Sequence, residues 1–299
     1  MEKKKTIFFC IGTQKAGTTT LHDILSQNKE IALPKDKETH FFSLTSLYNS
    51  NEQDYLKKYF NSKQLKHAKI VGEIDPSYSY FNDTEKRIFN TFSKKYNIKF
   101  IFILRDPVKR AYSHYLMSKR RGYENLTFME AVSNENERIK ADHFSNVNFS
   151  YISRGFYSCQ IENYLKYFDL KDFLFVRFED DFIQNKQQTL TKIESFLKIK
   201  HFNYNFDLKS NPASEPKSEI VRDILFKDNR FKTFFSKLVF SSRVRKTIKK
   251  TVTNLNLKET ENSRLDDATL KRLYQTHYKA EVELLEKKIE LNLSSWKHY

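Results

Sequence analysis

Residues 11–20 read IGTQKAGTTT and follow the apolar run TIFFC. Gly12 and Gly17 stand at the spacing of a phosphate-binding loop. Such a loop, feeding a helix, offers an anion its backbone N–H groups and the positive end of the helix dipole. The run Lys15, Ala16, Gly17, Thr18, Thr19 is the candidate binding stretch, with the two threonine hydroxyls as extra donors. A loop for nucleoside triphosphates carries lysine directly after the second glycine, where this chain has Thr18. Its lysine sits inside the loop as Lys15, which removes the usual grip on β and γ phosphates. That position suits the oxygen bridging a 5′-phosphate to a transferable group. The competing reading is a glycine-rich turn with an exposed lysine.

A second cluster lies in FIFILRDPVKRAYSHY, residues 100–115. Arg105 stands where an apolar run ends, Asp106-Pro107 turns the chain, and Ser113 falls two turns into a predicted helix. An arginine fork and a hydroxyl together suit a phosphate. The alternative for Arg105 is an ion pair with Asp106 or another acid. Arg110 either supports the same site or is an exposed helix arginine.

These residues need a frame. Strands are predicted at 6–12, 69–73, 99–106 and 173–178, and helices at 18–28, 52–61, 84–95, 107–121, 154–168, 180–198 and 266–290. KFIFILRD is a continuous apolar run ending in charge, as a strand covered on both faces should be. Pro107 suits a first helical turn. Strands alternating with helices imply an α/β, three-layer, P-loop-like fold: a central parallel sheet flanked by helices. Ligands then bind beyond the carboxyl ends of the strands, where each motif lies. We expect one domain over 1–299, with a basic helical subdomain at about 219–251 that interleaves apolar and basic residues.

With 53 Lys+Arg against 37 Asp+Glu, the net charge of +16 favours polyanionic partners. The only cysteines, Cys10 and Cys159, lack metal-ligand spacing and fit a reducing, cytoplasmic setting. MEKKKTIFFCIG has the basic head of a signal peptide, yet its apolar run breaks after about six residues, so it reads as the first strand. No stretch reaches the ~20 apolar residues of a membrane span.

IGTQKAGTTTLHDIL resembles the 5′-phosphosulfate loop of sulfotransferases that use 3′-phosphoadenosine 5′-phosphosulfate (PAPS), and FIFILRDPVKRAYSHY resembles their 3′-phosphate motif. KETHFF (37–42), GEIDPSYSY (72–80), GFYSCQIENYL (155–165), NPASEPKS (211–218) and LNLSSW (291–296) match in family order over nearly the whole chain. The closest branch in pattern is bacterial sulfotransferases related to the heparan sulfate enzymes. The resemblance implies a PAPS co-substrate with no metal, a 3′-phosphate held by Arg105 and Ser113, and a late-loop cation, Lys217. Glu215 stands where relatives often carry arginine. Tyr157 is either a nucleotide contact or a core aromatic.

Sulfuryl transfer needs a base for the acceptor, fixed cations for developing charge, and an in-line acceptor. The resemblance assigns the base to Glu38. His40 assists or replaces it, or is a packed histidine beside Phe41 and Phe42. Glu73 orients the acceptor or holds Lys15, and Lys15 stabilises the bridging oxygen. The heparan-type lysine after this glutamate is Ile74 here. The acceptor class implied is a glycan or glycolipid, with a small metabolite also open. Residues 227–250 cap the fold, touch an anionic membrane at its inner face, or touch a polyanion. The rival functions are a P-loop kinase or other nucleotide phosphotransferase, which would need magnesium and a triphosphate, and a basic nucleic-acid or membrane binder. No nucleic-acid motif is present.

Overall fold

The computed structural model describes residues 4–207, 214–216, 257–259 and 264–298. The basic segment expected at 219–251 and Lys217 lie outside the described residues. The described residues fall into two compact units, whose chain ranges are Met1–Arg110, Phe156–Ser210 and Tyr274–Tyr299 for the first, and Ala111–Gly155 and Asn211–Leu273 for the second.

The first unit is built on a five-stranded sheet in the order β2–β3–β1–β4–β5. The strands are β1 (Lys5–Gly12), β2 (Ile31–Ala32), β3 (Ile70–Ile74), β4 (Tyr96–Leu104) and β5 (Phe173–Arg177). Every pairing is parallel. Successive side chains of β1 alternate between the two faces of the sheet. Phe8 and Cys10 join the aliphatic core with Leu21, Ile24 and Leu25 of α1 (Thr18–Leu25). Leu190, Ile193 and Leu197, from the helix at Lys186–Leu197, complete that layer. Phe9 points the other way, into an aromatic layer: its ring centroid lies 5.7 Å from Phe42, 5.8 Å from Phe92 and 6.2 Å from Phe100. Helices therefore cover both faces, the three-layer α/β arrangement that the continuous apolar strands imply.

The intervening helices of this unit are α2 (Glu52–Tyr59), α3 (Ser62–His67) and α4 (Thr84–Phe92). Asn51 and Asn61 cap α2 and α3 by accepting backbone N–H groups, as good N-cap residues do. After β4, α5 (Pro107–Arg120) begins at the proline. The second unit takes up its later turns and holds α6 (Phe128–Ser133), α7 (Glu135–Ala141), α8 (His143–Phe149) and an antiparallel pair, Ser214–Pro216 with Leu257–Glu259. Thr127 and Glu130 close a capping box on α6. Buried Glu124 ties this unit together, accepting from Arg138 Nη1 at 2.7 Å and the Tyr151 hydroxyl at 2.8 Å.

Two predicted helices differ. The stretch 180–198 starts as a π-helical turn, Phe178–Ile183, because the Asp181 carboxylate takes the Arg177 backbone N–H and guanidinium; the α-helix begins only at Lys186. The stretch 266–290 is two helices, Asp267–Leu273 and Lys279–Ile289, with a π-helical turn at Tyr274–Tyr278 between them. The short elements β2, α3, α6, α7 and α8 were not predicted. Cys10 and Cys159 are both free, and burial pushes the Cys10 thiol up to about 12. Among the described residues no helix is long and apolar enough to cross a membrane.

Candidate active site

The glycine loop leaves β1 at its carboxyl end. Thr13 N–H donates to the Ile103 carbonyl of β4 at 2.7 Å, and Ala16 N–H returns to the Thr13 carbonyl at 3.2 Å. Gly17 closes the loop at φ +74°, where a Cβ would sit 2.8 Å from Phe178 and 2.9 Å from Phe182. Only glycine fits that backbone and that space. Helix α1 starts immediately after, with no side-chain cap on its first turn. Thr18 is buried, Thr19 exposed, and Lys15 half-buried with φ 76°. The Gln14 Oε1 is buried and meets no partner among the described residues. A loop that opens onto the uncapped N-terminus of a helix leaves backbone N–H groups to meet an anion, which fits a phosphate-bearing ligand.

Arg105 follows β4, the strand next to β1. Its Nη1 donates to the Lys15 carbonyl at 2.6 Å, so the two sequence motifs meet. Its Nε faces Glu179 at 3.3 Å, and its guanidinium lies over the Phe178 ring at 4.9 Å. The acid partner is thus Glu179 rather than Asp106. Burial pushes the Glu179 carboxyl up, opposed by Arg105. Asp106 instead starts α5, accepting Val108 N–H at 3.0 Å and Lys109 N–H at 3.2 Å, and it receives His298 Nε2 at 2.7 Å. Tyr157, on the helix Tyr157–Leu165, is fully buried against Phe102 and Trp296, and its hydroxyl donates to the Arg105 carbonyl at 2.8 Å. It braces the Arg105 turn from the core. Arg110 is fully buried, not an exposed helix arginine. Ser113 is half-buried on the part of α5 that belongs to the second unit.

The candidate catalytic acids gather at the carboxyl end of β3, on the other side of β1. Glu73 is 1% exposed and accepts Thr39 N–H at 3.1 Å and the Tyr55 hydroxyl. Burial, with the nearby Asp75 charge second, pushes its carboxyl up to about 7. Asp75 is wholly buried; Oδ1 takes Ser77 N–H at 3.0 Å, while Oδ2 takes the His40 N–H at 3.0 Å and its Nδ1 at 2.9 Å. Two acids of one strand end therefore hold two successive N–H groups of the 38–40 loop. The Asp75 hydrogen bond raises the His40 pKa against the opposing effect of burial. Glu38 pairs with Lys37, and Glu38 and His40 both adopt left-handed backbone, φ 63° and 53°. Asp75, Glu179 and His298 were missed from sequence; for Asp75 the period-two spacing from Glu73 was the available signal. Among the described residues no group of three His, Cys, Asp or Glu side chains could hold a metal.

The profile of the sulfotransferase domain family matches residues 5–277. The membrane-associated sulfotransferase kil1 of Dictyostelium discoideum is 25% identical over 77% of this chain, which spans 64% of that protein. Heparan sulfate glucosamine 3-O-sulfotransferase 3B1 of Mus musculus is 30% identical over 65% of this chain and 48% of its own length. The chain thus spans about half the length of the heparan sulfate relatives it matches. The crystal structure of a sulfotransferase from Alicyclobacillus acidocaldarius superposes with a TM-score of 0.62 at 21% identity, covering 99% of both chains, and so shares the fold. With most of its length matched by the family profile, the chain belongs to the sulfotransferase domain family.

Proposed function

We propose that the protein transfers a sulfuryl group from PAPS to a hydroxyl or amine of a carbohydrate or glycolipid acceptor. One observation carries this reading: Arg105 reaches back to the Lys15 carbonyl, so a phosphate cradle and a guanidinium share the carboxyl ends of adjacent strands. One nucleotide with phosphates at two ribose positions suits that pairing. The cradle from Gly12 to Thr19 holds the 5′-phosphosulfate, and Lys15 meets charge on the bridging oxygen as it leaves. Arg105 exchanges Glu179 for the 3′-phosphate, a hydrogen-bonded anion it matches in geometry. The motif assigns Ser113 a second bond to that phosphate. Glu38 takes the acceptor's proton, beside His40 on a loop anchored to β3. The names of the heparan sulfate relatives support a sugar acceptor.

The test incubates the protein with PAPS and a panel of desulfated glycans and glycolipids, and follows release of adenosine 3′,5′-bisphosphate. Release that depends on the acceptor and on Lys15 supports the reading. Turnover of ATP with magnesium in its place would promote a phosphotransferase.

A further inference from the structure

The bonds around Asp75 serve a purpose that loop anchoring does not exhaust. Asp75 and Glu73 are both buried at the end of β3, and among the described residues they are met by neutral N–H and O–H donors together with one titratable base, His40. A buried carboxylate at Asp75 needs a positive charge nearby, and His40 is the group in contact that can carry it. Its ring is fixed at Nδ1 by Asp75, which leaves Nε2 on the opposite edge of a side chain 39% exposed.

We propose that Asp75 is a positioning residue that holds His40 as an imidazolium, with its Nε2–H presented as a fixed donor to the sulfuryl group in flight. This rests on the PAPS reading above. In the step, the acceptor oxygen or nitrogen forms the new bond to sulfur, and its proton passes to the Glu38 carboxylate. The bond from sulfur to the bridging oxygen breaks, and that electron pair stays on the 5′-phosphate. His40 keeps its proton and donates a hydrogen bond only. The groups that face His40 are Glu38 on its own loop and Asp75 and Glu73 from β3. All three favour the charged ring, Asp75 most through its hydrogen bond.

The test uses the full chain with adenosine 3′,5′-bisphosphate bound. The pH titration of the His40 ring is read by nitrogen NMR, assigned by its loss in His40→Gln. In the wild type both ring nitrogens stay protonated to a pH above that of an ordinary histidine; in Asp75→Asn the midpoint falls by about one unit or more. In parallel, the pH profile of PAPS conversion to the bisphosphate is followed with desulfated heparan sulfate as probe acceptor, or water where the sugar is inert. Turnover should fall on the alkaline side with the His40 midpoint, and that limb should move to lower pH in Asp75→Asn while the KM for PAPS holds. The Glu73→Gln variant removes the neighbouring titration and should keep the limb. If Asp75→Asn does not fold, His40→Gln carries the test, with a loss of roughly 100-fold in kcat and no alkaline limb. An unchanged His40 midpoint in Asp75→Asn, or a limb that rises with pH, overturns the proposal. A protein that never binds PAPS refutes the functional reading instead, and the NMR titration then still reads the pair.

Discussion

Glu73→Gln tests the acid pair in the unreacted protein. The side chain is 1% exposed, and its carboxyl is raised from 4.5 to about 7, chiefly by burial. In the unfolded chain it loses its proton near 4.5, while the folded chain keeps it until about 7. Between those values the folded state binds more protons, so stability falls as pH rises through the window. At about 1.4 kcal/mol per unit, the group should cost roughly 3 kcal/mol above pH 7.5 and nothing below pH 4. Glutamine keeps an oxygen for Thr39 N–H and a group for the Tyr55 hydroxyl, which can turn to accept. Urea unfolding of both proteins from pH 4.5 to 8 gives the stability difference, in which titrating groups remote from Glu73 cancel. The variant should gain on the wild type by roughly 3 kcal/mol across that range. A difference constant to within about 1 kcal/mol would refute the argument that burial beside Asp75 holds the proton on Glu73.

Glu38→Gln is expected to cut acceptor-dependent turnover by at least about 100-fold while bisphosphate affinity, read by calorimetry, stays near wild type. Ordinary turnover in that variant removes Glu38 as the base. Lys15→Ala should lower turnover of PAPS by a similar factor, of order 100-fold, because the proposal places the Lys15 ammonium on the bridging oxygen. Gly17→Ala forces a Cβ onto φ +74° and against Phe178 and Phe182. It should cost at least about 1 kcal/mol in thermal unfolding and weaken bisphosphate binding; unchanged values would show that the loop relaxes freely.

The four longer strands were legible because they are short continuous apolar runs that end in charge or glycine and alternate with helical periodicity. The cradle was legible because two glycines and a lysine at fixed spacing have few alternative uses. Pairings between distant segments were not. His40 and Asp75 lie 35 residues apart, and Arg105 and Glu179 lie 74 apart, so no local pattern links them. Glu38 and His40 were visible as candidates, but the left-handed backbone of both residues follows from how the loop docks on β3. The π-helical turns at Phe178–Ile183 and Tyr274–Tyr278 sit inside stretches whose periodicity reads as plain helix. Tyr157 left two readings open, and its burial beneath the Arg105 turn comes from a contact 52 residues away that no local pattern shows.

The central claim is that one adenosine with charge at both ribose positions bridges the cradle and Arg105. Calorimetric titration of adenosine 3′,5′-bisphosphate and adenosine 5′-phosphate, on the wild type and on Arg105→Ala, addresses it most directly. A charged hydrogen-bonded contact of about 1.5–3 kcal/mol predicts a preference for the bisphosphate of roughly 10- to 100-fold. That preference should vanish in Arg105→Ala, the ratio cancelling any loss the two ligands share. Equal affinities in the wild type, or a preference that survives without Arg105, would contradict the account.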